Sequence, residues 1–404
     1  MCDQEPEEKA VKGGAKAKPA SAKGGKGSRP GTASSSADGE DPTSATSRKP
    51  KKPVPSVFPP SLNETWGRCL AQMEQLLAPL MPAIRQAIPT LPEVPAGPPA
   101  TPPPGAKGAA AKKGAAEEEA KAPVGHKVLL LIDPELKALP FEALPHLRSN
   151  CSSVARCPSL HLLHVAAQAA ASPDDATAPP SFDVTGGITY IVDPKCEGSS
   201  PEDAKGPFSP PLISTFQSRM LDEFKDWKGF VGSPNRVPAD ADLMQLVSSA
   251  SSLVFLGMGR FMSYISPAII SSVDLRGCDV AILMARVNNT KAHQRQLYLD
   301  NRKSQVQRQL ESPMRTAELL LARGVKTVIT TAMATTAESN LDMLRAIFTH
   351  LQGGATVAEA VWQTLLAYQF ELDHVASGLV VMGLPHMVAG GGGAGKGAKG
   401  GKKK

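Results

Sequence analysis

Two positions at the ends of short apolar runs are where this chain could carry chemistry. Residues 252–256 (Ser-Leu-Val-Phe-Leu) predict a strand buried on both faces, and the run ends in a Gly-Met-Gly turn whose glycines leave the backbone free to expose Met258. A second run, 279–284, leads into Ala-Arg-Val at 285–287. Because catalytic groups in an open parallel sheet gather outside the carboxyl ends of strands, the positions to examine are Met258 and about Arg286.

Other nucleophiles and bases in the sequence lack an obvious partner. Cys278 precedes the second strand, at the wrong end of the sheet, and is better interpreted as a small apolar residue at a strand entrance. His293 lies in a polar segment and is interpreted as a surface residue. Cys157 and His161 are four residues apart on a predicted helix and could approach each other, although a buried helix face explains them better. Ser271 has no Gly-x-Ser-x-Gly elbow around it.

Composition limits the protein class before any fold is considered. The chain has 404 residues and a formal net charge of +6, with lysines clustered at both ends and around 107–121. No apolar signal peptide begins the sequence, no run approaches the length of a membrane span, and the cysteines form no CxxC pairs. We therefore expect reduced thiols, a cytoplasmic location, no membrane span, and neither a metal site nor a cofactor. The six cysteines are Cys2, Cys69, Cys151, Cys157, Cys196 and Cys278.

Shifts in composition predict one packed domain between low-complexity segments. Gly, Lys, Pro and Ser repeats bury too little apolar surface to offset their ordering entropy, so they are predicted to be disordered. The predicted organisation is a basic tail at 1–55, an amphipathic helix at 61–88, a Pro/Ala/Lys-rich linker at 89–125, an α/β domain at 126–388 containing a polar insertion at 286–311, and a Gly/Lys tail at 389–404.

The helix at 61–88 and the insertion at 286–311 differ in apolar content. The helix carries an apolar stripe that Pro79 and Pro82 should interrupt near Ala78, and it must pack on the core or on a partner. The insertion is polar and basic, so we expect a solvated helix or a mobile loop. Its bulky residues are too few for a calmodulin-type target. The stripe consists of Trp66, Leu70, Met73, Leu77 and Leu80.

Six short elements occur in an order that resembles a known peptidase group. They follow a first strand at 128–132, and together with the Gly-Met-Gly strand they resemble the caspase-like cysteine peptidases of the separase and CHAT group. The elements are Leu-Pro-Phe-Glu-Ala-Leu-Pro at 139–145, Arg-Cys-Pro-Ser-Leu at 156–160, Tyr-Ile-Val-Asp-Pro at 190–194, Trp-Lys-Gly-Phe-Val-Gly at 227–232, Gly-Val-Lys-Thr-Val-Ile at 324–329 and Val-Val-Met-Gly-Leu-Pro at 380–385.

This resemblance implies a caspase-like α/β fold, a mostly parallel sheet flanked by helices, without peptidase chemistry. The histidine position of the group falls on Met258 and the cysteine position on about Arg286. A thioether takes no proton at neutral pH and a guanidinium is no nucleophile, whereas the reaction requires a thiolate beside an imidazole. No histidine occurs between His164 and His293, so no small shift in the alignment restores the base. We expect neither an imidazole nor a thiol at this end of the sheet, and hence no enzyme.

Within that group, the helix before the sheet and the Lys/Gly-rich ends resemble a particular kind of degenerate domain. It is the C-terminal domain of a large subunit of the axonemal central apparatus, in the projection called C1d. The resemblance implies a structural role in cilium or flagellum motility, a location in the cytoskeleton of the axoneme, and other central-apparatus proteins as partners. It also implies that the chain is a short piece of a longer pattern, because the repeat-rich helical part is absent.

Two other functions stay open at this stage. The lysine-rich tails predict a salt-sensitive microtubule-binding module that contacts the acidic surface of tubulin. No aromatic residue is interleaved with those lysines, so nucleic acid is not an expected partner. An active cysteine peptidase is the least favoured reading, since its nucleophile and base are both missing.

Overall fold

The structure, a computed structural model, describes residues 60–90, 125–171, 180–184, 187–197, 212–233, 235, 237–285, 290–368 and 378–390. The predicted tails at 1–55 and 389–404 lie outside the described residues except for 389 and 390, and the linker at 89–125 lies outside them except for residues 89, 90 and 125. Arg286 also lies outside them.

Ten strands are present among the described residues, and eight of them form one sheet. Its order is β1-β2-β9-β8-β7-β6-β4-β5, and the remaining two strands, β10 and β3, pair with each other. The strands are β1 (His126–Leu131), β2 (Cys151–Cys157), β3 (Ser181–Asp183), β4 (Ile188–Val192), β5 (Lys228–Val231), β6 (Ser252–Leu256), β7 (Val280–Met284), β8 (Thr327–Thr331), β9 (Leu379–Gly383) and β10 (Val388–Gly390).

The helices lie in two layers on the two faces of this sheet, which the alternation of the strand side chains explains. In β6, Val254 and Leu256 face one apolar cluster with α5, α11 and α12, while Leu253 and Phe255 face the other with α6, α7 and α10. The helices are α1 (Pro60–Leu77), α2 (Met81–Ala87), α3 (Pro145–Asn150), α4 (Leu160–Ala170), α5 (Leu212–Phe216, continuing as a π-helical turn at Gln217–Leu221), α6 (Asp240–Ser248), α7 (Pro267–Ser272), α8 (Thr290–Asp300), α9 (Gln305–Leu310), α10 (Pro313–Ala322), α11 (Ala337–Gln352) and α12 (Val357–Tyr368).

The predicted α/β class with a mostly parallel sheet is confirmed. Among the described strands of the large sheet, every neighbouring pair is parallel except β8 and β9. Strands β4 to β8 of this sheet therefore run in one direction, and β9, β2 and β1 run in the other. Burial on both faces explains why the parallel strands β6 and β7 consist almost entirely of apolar residues.

Three strands differ from the sequence-based expectations. β1 was expected to be buried, but it is an edge strand on which alternate residues are exposed, Leu131 by 57%. β2 was not expected at all, because its polar residues Ser152, Ser153 and Arg156 are buried with hydrogen-bond partners or paired backbone. β5 replaces an expected turn and forms the other edge.

The first two helices pack on the sheet domain through a narrow set of residues. Met73 and Leu77 are buried in the first apolar cluster, whereas Leu80, which the apolar stripe placed on the same face, is exposed. α1 ends at Leu77 and α2 begins at Met81, with Pro79 between them. Of the two predicted ways to bury the stripe, on the core or on a partner, Met73 and Leu77 follow the first.

Candidate functional site

The strand register pairs the ends of β6 and β7, the two strands that precede the sequence-predicted positions. Leu256 pairs with Met284, and the backbone N–H of Gly257 donates to the Met284 carbonyl at 3.1 Å. Met258 and Arg286 are therefore each the second residue beyond paired ends of neighbouring strands, although Arg286 itself is outside the described residues. We call the turns that follow β4 and β6 the carboxyl rim.

Met258 does not present its side chain at the carboxyl rim as the glycine turn suggested. It is 5% exposed and belongs to the same apolar cluster as Val254 and Leu256, the alternate residues that precede it. A Cβ atom at Gly257 would lie 2.4 Å from the Phe255 ring, so the turn requires glycine there for packing. The position between the glycines thus holds a buried thioether, which cannot act as a base.

Tyr264 occupies the space beside this turn. The backbone N–H of Gly259 donates to the Tyr264 hydroxyl oxygen at 2.9 Å, and that hydroxyl donates to Glu197 Oε2 at 2.7 Å. Glu197 follows β4, and its backbone N–H donates to Asp193 Oδ1 at 3.0 Å. Burial raises the pKa of Tyr264, so the phenol stays protonated and acts as a structural link between the turns after β4 and β6.

Arg295 on α8 contacts both Tyr264 and Glu197. Its guanidinium forms an ion pair with Glu197, lies 3.4 Å from the Tyr264 hydroxyl oxygen, and sits 5.0 Å from the centre of the Tyr264 ring. Burial lowers the pKa of Arg295, which is consistent with a cation held against the body of the protein. The predicted insertion at 286–311 is therefore held on the carboxyl rim rather than solvated on all sides.

A second charged group attaches the other end of the insertion. Arg260, in the turn after β6, pairs with Asp300 at the end of α8 and donates to Glu311 at 2.8 Å. Lys303 donates to the other carboxylate oxygen of Glu311 at 2.5 Å, and Gln296 donates to Asp300 at 2.9 Å. We call Arg260, Asp300, Lys303 and Glu311 the rim cluster.

A cavity of about 430 Å³ lies beside these two groups. It has both apolar and charged walls, and it opens between the turns after β4 and β6 and the insertion helices. Its lining consists of Lys195, Asp240, Met262, Ser263, Tyr264, Ser266, Pro267, Leu299, Lys303, Gln307, Leu310 and Glu311.

One thiol lies at the carboxyl rim, contrary to expectation. Cys196 follows β4, is half-buried, and adopts a left-handed backbone conformation with φ of 55°. The prediction overlooked it because it considered only the ends of β6 and β7. No hydrogen bond joins its thiol to His293, which is exposed on α8, or to any other histidine in the described ranges. The rim therefore holds a thiol that is hydrogen-bonded to no imidazole of the described residues.

Cys278 lies at a strand entrance as predicted, but the interpretation of Cys157 and His161 as one buried helix face is wrong, because Cys157 ends β2 and the exposed His161 lies on α4. Cys278 is buried before β7, and burial raises its pKa to about 12, so the thiol remains protonated. Cys157 is buried and donates to the Ser159 carbonyl at 2.8 Å, whereas His161 is exposed. Within the described ranges, no cluster of acidic, histidine or cysteine side chains could hold a metal ion, and no helix is long and apolar enough to cross a membrane.

Comparison with known proteins identifies a relative. The chain is 35% identical over 387 residues to cilia- and flagella-associated protein 46 of Chlamydomonas reinhardtii, in a match that covers 85% of this chain and 14% of the relative. The chain is a homologue of part of that protein. This finding confirms the resemblance to a large ciliary and flagellar protein, of whose length the chain spans 14%. No protein-family profile matches the chain.

Solved structures with a similar arrangement include two of the Saccharomyces cerevisiae separase–securin complex. One, at 2.6 Å resolution, has 15% sequence identity and a TM-score of 0.46 over 66% of this chain and 16% of that chain. The other, at 3.0 Å resolution, has 15% identity and a TM-score of 0.47 over 65% of this chain and 16% of that chain. At scores below 0.5 these likenesses transfer neither an activity nor a site to this chain.

Proposed function

We propose that this protein is a non-catalytic structural component of cilia and flagella that acts through protein–protein contacts in the axoneme. The observation that carries the proposal is the similarity to cilia- and flagella-associated protein 46 over 85% of the chain. Its place in the axoneme is taken to be the C1d projection of the central apparatus, where it supports motility and contacts other central-apparatus proteins.

The non-catalytic part of the proposal is supported by the chemistry of the carboxyl rim. Met258 is a buried thioether, Tyr264 stays protonated, and the carboxylate of Glu197 is engaged by Arg295 and Tyr264. Hydrolysis by a cysteine peptidase requires a thiolate with an imidazole within hydrogen-bonding reach. Among the described residues, no histidine forms a hydrogen bond with the Cys196 thiol. This supports a rim that holds segments together rather than one that catalyses acyl transfer.

The location is tested in flagellate cells that lack the gene and are rescued with the tagged protein. We expect the tag in the axoneme, loss of density at C1d in electron tomograms of the mutant, and recovery of density and swimming on rescue. A tagged protein that restores swimming from outside the axoneme would contradict the proposal.

The absence of catalysis has a separate test. We expect purified protein to cleave no peptide in a broad library and to react slowly with an active-site thiol probe. Cys196→Ser is the matched control, since Cys196 is the thiol that lies at the rim. Turnover by the native chain that the Cys196→Ser variant loses would overturn the non-catalytic reading.

A second candidate function is favoured by the lysines clustered at both ends of the sequence. We propose that these tails bind the acidic surface of tubulin. Co-sedimentation with microtubules, with and without residues 1–55 and 389–404, should show binding that depends on the tails and disappears at high salt. Binding that survives removal of both tails, or no binding at low salt, would remove this candidate. A scaffold and a microtubule-binding module are compatible.

A further inference from the structure

The insertion helices have the reverse of the usual helix polarity. A helix on a protein surface normally packs its apolar face inward and exposes its charges. Here Arg295, Asp300 and Glu311 face the body of the protein and are paired there. Large apolar side chains of the same segment are exposed instead. They are Leu297, Tyr298, Val306 and Leu310.

Part of this exposed face continues into the cavity at the carboxyl rim. Val306 and Leu310 are four residues apart on α9, hence on one side of that helix, and they are 64% and 46% exposed. Leu310 also lines the cavity, together with the apolar side chains of Met262, Pro267 and Leu299. We call Val306, Leu310 and the cavity the α9 surface. It offers a recess with both apolar and charged walls beside the exposed apolar residues of a helix.

The insertion segment that carries this surface has an excess of positive charge. Residues 290–311 contain five basic and two acidic residues, and both acids, Asp300 and Glu311, are already engaged by Arg260 and Lys303. Lys195 lines the cavity with its ammonium 5.6 Å from the Tyr264 ring centre, and it forms no ion pair with any residue that the structure describes. Burial and then the charge of Arg295 lower the pKa of Lys195, and they outweigh the carboxylate of Asp240, which also lines the cavity and acts in the opposite direction.

Arg302 adds a second cation of this kind. Its guanidinium lies 4.1 Å from the centre of the Tyr298 ring, and within the described part of the chain it has no carboxylate partner. An arginine stacked on an exposed aromatic ring is a common anchor of protein interfaces. A second copy of this chain would present the same positive surface, so charge opposes self-association here.

We propose that the α9 surface is a docking site for an acidic amphipathic segment of a partner protein. The segment's apolar side chains would cover Val306 and Leu310 and enter the cavity, and its carboxylates would pair with Lys195 and Arg302. This inference rests on the proposed structural role, because a component that acts by contacts needs such a surface. Helices that bind in apolar grooves use this combination of apolar anchors and flanking charges.

Site-specific photo-crosslinking tests the proposal in living flagellate cells that express the full chain. A benzophenone amino acid replaces Val306, and the crosslinked peptide is identified by mass spectrometry. The matched control places the same amino acid at Val165 on α4, which is 47% exposed and lies on a different helix. We expect a peptide from another protein that is net acidic and has apolar residues at spacings of three and four, enriched at least fivefold over the control.

Charge reversal separates this surface from other contacts. The double variant Lys195→Glu with Arg302→Glu should reduce the crosslink at least fivefold without changing the melting temperature, and Lys195→Arg should retain it. A crosslink to residues of this chain, to a basic peptide, or to a glutamate-rich tail without apolar residues would overturn the proposal, as would a yield no higher than at position 165. Failure of the tagged protein to reach the axoneme would instead refute the ciliary role and leave the crosslink as a separate result.

Discussion

Two clusters of charged side chains hold segments of this protein to its sheet, and they differ in how completely each charge is buried and paired. At the end of β2, Arg156 and Glu142 are 3% and 2% exposed. The guanidinium donates to both oxygens of Glu142, at 2.7 and 2.5 Å, and to the carbonyls of Lys137 and Leu139 at 2.6 and 2.7 Å. In the rim cluster, Arg260 shares two carboxylates, and its side chain is partly exposed.

The difference in pairing separates a fixed attachment from an adaptable one. All three nitrogens of the Arg156 guanidinium have acceptors, which compensates for the loss of water on burial. At the carboxyl rim, by contrast, Arg260 Nε and Arg295 Nη2 are buried and have no partner within the described part of the chain. A network that is incompletely paired and partly exposed to solvent can rearrange at a lower cost in free energy. The insertion helices are therefore the segment best able to adjust to a partner.

The strongest test of this comparison removes the buried carboxylate. Glu142→Ala leaves the Arg156 charge buried with only carbonyl partners, and breaking such a pair costs about 3–5 kcal/mol. We expect urea denaturation to show a free energy of unfolding lower by that amount. The guanidinium of Arg156 also donates to the backbone carbonyls of Lys137 and Leu139. The variant should therefore increase the mobility of that segment.

Two control variants make this first prediction specific. Glu223→Ala breaks an exposed ion pair with Arg345 and should change stability by less than about 1 kcal/mol. Replacing both buried partners, Arg156→Met with Glu142→Leu, should recover most of the loss because no unpaired charge remains. A Glu142→Ala cost no larger than that of Glu223→Ala would show that the buried pair is not a stronger attachment.

Tyr264→Phe probes the link between the β4 and β6 turns. The change removes one hydroxyl, leaves the Gly259 N–H without its acceptor and takes a donor from Glu197, and an unsatisfied buried polar group costs about 1–3 kcal/mol. Urea denaturation measures the loss, and hydrogen exchange at the Gly259 amide should rise. Tyr298→Phe is the control, because Tyr298 is exposed on α8. Equal costs for the two variants would mean that Tyr264 is not the link.

The sequence was sufficient for the parts of the fold that depend on local apolar pattern. β6 and β7 are short apolar runs, and the strands predicted at 252–256 and 279–284 lie close to their observed bounds. β2 was missed for the opposite reason. Its buried Arg156 is tolerated only because Glu142 lies beside it, which no local pattern reveals.

At the carboxyl rim too, contacts between residues distant in the sequence could not be predicted from local patterns. The pairing of the ends of β6 and β7, the strands before Met258 and Arg286, agrees with the lengths of the two predicted strands. The group around Tyr264 could not be found in that way, since Glu197 and Arg295 are 67 and 31 residues away from it in the sequence. Cys196 was detectable, because it closely follows the Tyr-Ile-Val-Asp-Pro element at 190–194, but its relation to the rim required the position of β4 beside β6.

Arg260→Ala tests whether the rim cluster is the weaker attachment. Lys303 still binds Glu311 and Gln296 still binds Asp300, so we expect a loss of only about 1–2 kcal/mol. The loss should shrink when the salt concentration is raised to 1 M, because partly exposed charges are screened. Glu142→Ala provides the reference, since its cost should hardly depend on salt. A salt-independent cost for Arg260→Ala would erase the distinction between the two clusters.

The smallest expected effect is the pH dependence of the rim cluster. Burial acts to raise the pKa of Asp300, but the hydrogen bonds from Arg260 and Gln296 outweigh it, and the pKa lies below its ordinary value. A carboxylate with a depressed pKa in the folded state stabilises the protein above its unfolded pKa of about 3.9, and this contribution is lost as the pH falls through the folded value. Between about pH 5 and pH 3, the free energy of unfolding should therefore fall more steeply in the native chain than in Asp300→Asn. Parallel curves would mean that Arg260 holds Asp300 no more tightly than water does, and the insertion would then depend on Arg295 and Glu311 alone.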